Sequence, residues 1–589
     1  MHMHRRNQRS EAHITPPPSA KFHGPMSSDS DRHLGFRNRT PRRIWLLIIA
    51  LLAVLGITHY ILPYLFSARN GNDDATRPYS NSHLTPKNYL NLSSTGEHPR
   101  AFDFCLAHGK GDKIGQKYGP VALSQTRLHL GSSARIQRVI SKALAGQPVT
   151  ISVLGGSVSA CHGAGDDHIS PKCYPSRFFQ WWNTIFPHPA SELTNGAMRL
   201  STSEYFGYCS THHIPDVTDL IIVELDASDN PNDAKAMTEH FEILIRSLLI
   251  RPDSPAVLLL GHFSPQLWIA HGAFGADHFH SVAAQFYDVP HLSTKSLLFS
   301  DFMREPRSIN RFYVDPILAS ADGHELITDV LIGYFQTQIC QVWDDVVGGD
   351  SLGHIGSGGQ VQGGGGGGGG LFGGVGQRKG VPEPHPNHLD GHEEVEVDAE
   401  GNRIKLGLPN RISDFEQRSA LLGVPPARMS TKPNQGKPFE EIAPFCVSAN
   451  DLVNPLPPSL FEGSGWTAFH PGGVGGQGNV LNTKAHYWYS TLVGSRLRIP
   501  IIVGAGDVGV YYLVNGSGEG SEVNCQVDDN YGGAMTLSNV VPGFEDNTPR
   551  LTMIDHFVSR GNHFIECQLV GDEEQKGVPA FKILGFFAT

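Results

Sequence analysis

The sequence has little charge and no clustered metal-binding motif. Charged residues make up 17% of the 589 residues, and the formal net charge is −11. No stripe of basic residues is present, which argues against nucleic-acid binding. None of the eight cysteines forms a CxxC pair, so no zinc site is predicted. Eight glycines at 363–370 lack the strand, lysine and Ser/Thr that a phosphate-binding loop requires. We therefore expect no cofactor and no metal.

Long apolar runs are also scarce, and the longest lies at residues 44–66. These 23 residues are enough to cross a bilayer. Residues 1–43 carry nine Lys/Arg against three Asp/Glu, which predicts a cytoplasmic N-terminus. The sequence thus predicts a type II signal anchor, with the rest of the chain in the secretory pathway (Golgi-like) or at the cell surface. In that oxidising compartment the cysteines should form disulfides, and Cys525 and Cys567 could bridge two predicted strands.

Composition divides the remaining chain into segments. Residues 1–43 are predicted to be a disordered tail, 67–119 a stem and 343–460 a Gly/Pro-rich linker. Residues 120–342 alternate apolar strands with amphipathic helices, which predicts an α/β domain with a parallel sheet and flanking helices. Residues 461–589 predict a β-sandwich of short strands. Its candidate strands are 497–503, 508–514, 523–527, 551–557, 563–570 and 581–587.

Residues 151–157 carry the most specific functional signal. The apolar run predicts a buried strand, and Gly155 and Gly156 allow a tight turn at its end. Ser157 is then left at the carboxyl edge of the sheet, where ligands of α/β proteins bind. It is a candidate nucleophile if a base and an oxyanion hole lie nearby. The alternative is a Gly-rich turn followed by an ordinary helix-capping serine.

Further motifs occur in a recognisable order. Gly155-Gly156-Ser157 is followed by Asn195-Gly196, by Glu224 at the end of an apolar run, and by Gly323-His324 at a helix start. Together they resemble the SGNH (GDSL-like) hydrolase family, in particular its large fungal, membrane-anchored, capsule-associated branch with a C-terminal β domain. The resemblance implies an SGNH-like fold, with Ser157 as nucleophile and the Gly196 amide in the oxyanion hole.

Two positions depart from the resembled pattern. The family pattern is a series of short sequence blocks that are numbered along the chain. In the third block, residues 224–229 here, an oxyanion-binding Asn is expected, and Ser228 stands at that position. In the fifth block, Asp-x-x-His-Pro, Asp315 is present but Leu318 replaces the histidine base. Leucine cannot accept a proton, so a serine nucleophile would need another base. Candidates are His324, six residues later, and His162, five residues after Ser157.

Two carboxylates lie on either side of Ser228. Asp226 and Asp229 would add negative charge where an oxyanion forms, which opposes catalysis. His278 and His280 are assigned to a loop of unknown position.

Two functions remain open. One is hydrolysis or transfer of an acyl (acetyl) ester on a carbohydrate by Ser157. The other is a catalytically degenerate domain that binds a glycan or a protein partner. Trp466, Trp488, Tyr511 and Tyr512 of the β domain could stack on sugars, although core packing is the commoner role of aromatic residues.

Overall fold

The computed structural model describes residues 81–90, 102–105, 109–347, 410–433, 436–450, 462–469, 486–516, 518–571 and 577–589. The predicted tail 1–43, the predicted membrane anchor 44–66 and the glycine run 363–370 lie outside these ranges. Among the described residues, no helix has the length and apolar character needed to cross a membrane.

A six-stranded sheet forms the centre of the α/β domain. Its strands are β1 (Arg127–His129), β2 (Thr150–Gly155), β3 (Glu192–Asn195), β4 (Leu220–Glu224), β5 (Ala256–Gly261) and β6 (His291–Ser293). Their order across the sheet is β1-β6-β5-β4-β2-β3. Strands β3, β2, β4, β5 and β6 are parallel, as predicted. The edge strand β1 pairs antiparallel with β6, so the sheet is mixed, a common arrangement at the edge of such sheets.

Helices cover both faces of this sheet. They are α1 (Lys113–Gln125), α2 (Ala134–Leu144), α3 (Tyr174–Ile185), α4 (Ser203–Cys209), α5 (Ala234–Leu249), α6 (Pro265–His271), α7 (Ala276–Tyr287), α8 (Lys295–Arg304) and α9 (Ala321–Val347). Side chains of a strand alternate between faces. Leu220 and Ile222 therefore pack with α2, α3 and α9, whereas Ile221 and Val223 pack with α4, α5 and α7.

The C-terminal domain is an antiparallel β-sandwich. Its strands are β7 (Phe445–Ser448), β8 (Glu462–Ser464), β9 (Thr467–Phe469), β10 (Tyr487–Ser490), β11 (Arg496–Val503), β12 (Val508–Val514), β13 (Glu522–Val527), β14 (Met535–Ser538), β15 (Thr548–Asp555), β16 (Gly561–Val570) and β17 (Phe581–Ala588). One sheet has the order β15-β12-β17-β10-β9, with β7 also paired to β17, and the other has the order β14-β13-β16-β11-β8. The six predicted strands are confirmed, with bounds that shift by a few residues.

The aromatic residues singled out in this domain are mostly core residues. Trp488, Tyr511 and Tyr512 are buried, and Trp466 packs against the sandwich core. Tyr511 also lies 5.5 Å from the ring of Tyr205 on α4, across the junction with the α/β domain. Aromatic packing, rather than a sugar-stacking surface, accounts for these four residues.

The structure differs from the predicted segment bounds in two places. The predicted linker 343–460 contains helix α10 (Asn410–Ala420) and strand β7. Phe415 of α10 is buried in the α/β core, and β7 pairs with β17. The predicted stem 67–119 likewise contains part of α1 and the buried Phe102. Helix α10 is mostly polar, helix α1 is interrupted at Gly119 and Pro120, and β7 has four residues, so none of them shows a clear periodic pattern. Their tertiary partners order them.

Four disulfides join the eight cysteines. They are Cys105–Cys340, Cys161–Cys173, Cys209–Cys446 and Cys525–Cys567. The predicted pair Cys525–Cys567 is confirmed, because the two residues lie opposite each other on β13 and β16. Cys209–Cys446 ties α4 to β7, and therefore joins the two domains. Four disulfides indicate a protein that folds in an oxidising, extracytoplasmic compartment.

Candidate active site

Ser157 lies at the carboxyl edge of the sheet, directly after β2. Its side chain is partly exposed, and its Oγ accepts a hydrogen bond from the Leu200 amide at 3.1 Å. A Cβ at Gly156 would lie 1.8 Å from the Ser228 Oγ, and a Cβ at Gly155 would lie 2.4 Å from the Ser159 Oγ. Both positions therefore require glycine, because neighbouring hydroxyls approach the backbone closely.

The structure places Ser228 at this turn, as expected for an oxyanion donor. The Gly196 amide, which was also expected to bind the oxyanion, has another partner. Because the Ser228 Oγ lies over Gly156, it is next to the residue that precedes the candidate nucleophile. The Gly196 amide donates to the Val153 carbonyl at 2.9 Å, which continues the β2–β3 pairing. In this arrangement that amide is not available to an oxyanion. Glycine at 196 is required by packing, since a Cβ there would lie 2.0 Å from the His213 carbonyl oxygen.

The fifth-block segment forms a turn with a buried leucine. The exposed Asp315 accepts hydrogen bonds through Oδ1 from the amides of Ile317 at 2.8 Å and Leu318 at 2.6 Å. Leu318 is 8% exposed and packs in the α/β core. Asp315 therefore caps its own turn, and among the described residues no histidine is hydrogen-bonded to it. Its charge acts on His262 electrostatically and opposes the lowering of the pKa of that ring by burial.

His324, the first candidate for a replacement base, is fully buried in α9. Its Nδ1 accepts a hydrogen bond from the Tyr174 amide at 3.3 Å, and its ring stacks on Tyr174. The proton is then on Nε2, which has no hydrogen-bond partner within the described chain. Burial, together with the nearby His262 and Arg177, lowers the pKa of His324 to about 3. Its lone pair is directed at a backbone amide and not at Ser157.

The two carboxylates beside Ser228 are bridged by a buried histidine. His280 Nδ1 donates to Asp226 Oδ1 at 2.5 Å, and its Nε2 donates to Asp229 Oδ2 at 2.9 Å. His280 is 1% exposed. Burial alone would lower its pKa, but the two carboxylates raise it to about 9. The predicted excess of negative charge is therefore offset by an imidazolium, and we call Asp226, His280 and Asp229 the buried charge triad.

Sequence reasoning missed this triad because His280 was assigned to a loop. The structure places His278 and His280 in helix α7, not in a loop. A signal existed, since Phe279, His280, Ala283, Ala284 and Tyr287 recur at helical spacing and form the buried face of α7. Sequence alone could not have placed that face against the residues after β4.

A second buried network, made of hydrogen bonds, stabilises the turn that carries Ser157. Ser159 Oγ donates to Glu224 Oε2 at 2.9 Å and accepts from the Tyr174 hydroxyl at 2.7 Å. Burial raises the pKa of Glu224 to about 7. Ser159 is completely buried, so it supports the turn and is not a second candidate nucleophile.

His162, the second candidate base, lies on the loop that follows Ser157. Its Nδ1 is 2.5 Å from Asp166 Oδ1, and its Nε2 is 2.8 Å from Arg199 Nη2. The side chain is 28% exposed. No histidine nitrogen in the described part of the chain hydrogen-bonds to Ser157 Oγ, whose partner is the Leu200 amide.

An open cleft lies next to the triad, beyond the ends of β4, β5 and β6. Its lining includes Asp226, His262, Trp268, Asp277 and Lys295, but neither Ser157 nor Ser228. Lys295 pairs with Asp277 at 2.7 Å and lies over the Trp268 ring. The cleft thus shares Asp226 with the triad but does not contain the serine. No group of three or more His, Cys, Asp or Glu residues within the described ranges is arranged to hold a metal ion.

Comparison with solved structures identifies the fold. The chain is similar to a two-domain esterase (CEX) active on acetylated mannans, co-crystallised with mannopentaose, with 16% identity, a TM-score of 0.50, and coverage of 79% of this chain and 97% of that one. A second structure of a two-domain esterase (CEX) active on acetylated mannans gives 17% identity, a TM-score of 0.50, and coverage of 79% and 98%. At this identity the likeness shows the fold alone. No protein-family model matches the sequence, and no curated protein matches it.

The class defined by this architecture is therefore a two-domain protein, with an α/β domain and a C-terminal β domain, that shares its fold with these two structures. It combines a mostly parallel sheet with a C-terminal β-sandwich.

Proposed function

We propose that this chain is a serine-dependent esterase or O-acyl transferase that acts on acylated carbohydrate, with Ser157 as the nucleophile. The proposed enzyme works in the secretory pathway or at the cell surface, anchored by residues 44–66. Alkaline carbonate extraction of the expressed full chain tests that anchor. This proposal places the chain in the SGNH-like, membrane-anchored group that its motifs resemble.

One observation carries the catalytic proposal. Ser157 is partly exposed at the carboxyl edge of a parallel sheet, and the hydroxyl of Ser228 lies over the adjacent Gly156. That edge is where α/β proteins bind their ligands. In the proposed reaction Ser157 Oγ attacks the ester carbonyl. The amide of Ser157 and the hydroxyl of Ser228 are the donors proposed for the oxyanion, because the amide of Gly196 is already bound to Val153.

Carbohydrate is the proposed substrate because the chain shares its fold with an esterase active on acetylated mannans. The test measures acetate release from acetylated manno-oligosaccharides and hydrolysis of p-nitrophenyl acetate by the full chain. Ser157→Ala should lower both rates by several orders of magnitude, because the covalent step needs the hydroxyl. Ser247→Ala is the matched control, since the Ser247 hydroxyl donates to the Leu244 carbonyl of its own helix, α5, and has no other bond to the described residues. Equal rates for Ser157→Ala and the wild type would refute the assignment.

A second candidate function is glycan binding without catalysis. It is favoured by the buried Leu318 at the position of the expected base. This candidate predicts no acetate release, but saturable binding of acetylated manno-oligosaccharides in isothermal titration calorimetry. Binding that Ser157→Ala leaves intact, without turnover by the wild type, would establish it over the enzyme.

A further inference from the structure

A histidine–carboxylate pair lies on the loop that leaves the candidate nucleophile. His162 and Asp166 are joined through Nδ1 and Oδ1 at 2.5 Å. The same carboxylate oxygen accepts the Gly163 amide at 3.2 Å, which fixes its position relative to the ring. In nucleophilic catalysis a base is commonly oriented by a third group in this way.

The contacts of His162 determine which nitrogen carries the proton. Arg199 approaches Nε2 at 2.8 Å, and a guanidinium can only donate. Nε2 therefore holds a lone pair, and the proton of the neutral ring is on Nδ1, where it is donated to Asp166. This is the tautomer that a general base acting through Nε2 requires.

Backbone contacts hold this pair beside Ser157. The His162 amide donates to the Ser157 carbonyl at 3.1 Å. Residues 199 and 200 contact both groups, because Arg199 binds His162 Nε2 and the Leu200 amide binds Ser157 Oγ. The disulfide Cys161–Cys173 closes the loop that carries His162, and its first cysteine directly precedes that histidine. The base and the nucleophile are therefore connected through one pair of adjacent residues.

Two other histidines of the α/β domain, His324 and His280, have no lone pair free for Ser157. His324 Nδ1 accepts the Tyr174 amide. His280 donates from both nitrogens to carboxylates. His262 donates through Nε2 to the Ile317 carbonyl, and it lines the neighbouring cleft with Asp226.

We propose that His162, oriented by Asp166, is the general base for Ser157 and replaces the histidine that Leu318 has displaced. This inference rests on the proposed esterase function. For the reaction, His162 Nε2 gives up the hydrogen bond that it accepts from Arg199 and accepts one from Ser157 Oγ instead. The Oγ–H bond then breaks and its proton moves to Nε2 as Oγ bonds to the acyl carbon. The ester C–O bond breaks, and the leaving alcohol takes the proton from Nε2. Water or an acceptor alcohol repeats these steps to release the acyl group.

The test uses a fluorophosphonate probe, which phosphonylates an activated serine with loss of fluoride. The full chain should be labelled at Ser157, as read by peptide mass spectrometry, and His162→Gln should slow labelling by about 10²–10⁴-fold. Hydrolysis of p-nitrophenyl acetate should lose kcat by a similar factor with little change in KM. Asp166→Asn should also lower kcat, by a smaller factor, because Asp166 is a positioning residue. His188→Gln is the matched control, since within the described part of the chain the His188 ring accepts a single hydrogen bond, from the Ala190 amide.

A rescue experiment separates a missing base from a damaged fold. In the double variant His162→Gln/Leu318→His, a histidine returns to the position three residues after Asp315, and labelling should recover at least about tenfold over His162→Gln. If His162→Gln were labelled as fast as the wild type, the assignment of the base would be overturned, and Ser157 would remain the nucleophile. No labelling of wild-type Ser157 would overturn both proposals.

Discussion

The third-block segment 224–229 and the fifth-block segment 315–319 both depart from the resembled pattern by one residue, with very different structural consequences. The third-block segment is buried, and two of its carboxylates are bound by His280. The fifth-block segment is a turn whose only carboxylate, Asp315, is exposed and bonds two amides of the same turn. One altered segment is held by a charge network that reaches across the domain, and the other by local bonds and one buried leucine.

The difference is one of dielectric environment. A buried charge has a high desolvation cost unless it is paired, so removing one partner of the triad leaves an uncompensated charge. An exposed carboxylate that is lost can be replaced by water. We therefore expect the third-block segment to tolerate change poorly and the fifth-block segment to tolerate it well.

The largest expected effect is that of His280→Gln. This change leaves Asp226 and Asp229 buried without their cation, and it should lower the free energy of unfolding by about 3–5 kcal/mol. Urea denaturation followed by tryptophan fluorescence measures it. His278→Gln, on the exposed side of the same helix, is the control and should change stability by less than about 0.5 kcal/mol. Equal effects of the two variants would contradict a structural role for the triad.

A smaller effect should appear as a pH dependence. The pKa of His280 is raised to about 9 in the folded state from an ordinary value of 6.5. The protonated form therefore stabilises the fold fully below about pH 6.5, and this contribution is lost as the pH rises to about 9. Linkage gives an upper limit of about 3 kcal/mol. Urea titrations at pH 6 and 9 should show this loss for the wild type but not for His280→Gln, and a loss of the same size in both would exclude His280 as its source.

The smallest effect is expected for Asp315→Ala. This change removes two hydrogen bonds to amides in an exposed turn, and it should cost about 1 kcal/mol of unfolding free energy. The same denaturation experiment measures it. A loss as large as that of His280→Gln would mean that the two segments do not differ as described.

Much of the architecture was predictable because its signals are local and periodic. Apolar runs such as 220–224 indicated buried strands, and the alternation of strands with helices indicated a parallel sheet. The described strands of only three or four residues were not predicted, because so few residues carry too little pattern; they are β1, β3, β6, β7, β8, β9, β10 and β14. The pairing partners of β1 and β7, which are β6 and β17, lie far away in the sequence.

The candidate site was predictable in part. The position of Ser157 followed from a predicted strand that is followed by two glycines. The absence of the expected histidine base followed from Leu318 at its position in the fifth-block motif. The orientation of side chains did not follow. Sequence named both His324 and His162, but only the contacts show that the lone pair of His324 meets the Tyr174 amide, whereas that of His162 meets Arg199.

The sequence by itself determined the longer strands, the turn that presents Ser157, and the loss of a proton acceptor at position 318, because each depends on residue types within a few positions. Only the tertiary structure decided that His280 lies between Asp226 and Asp229, and that residues 199 and 200 contact both His162 and Ser157. Hydrogen bonds and ion pairs act over about 3 Å in space, and a chain brings distant residues to that separation only by folding.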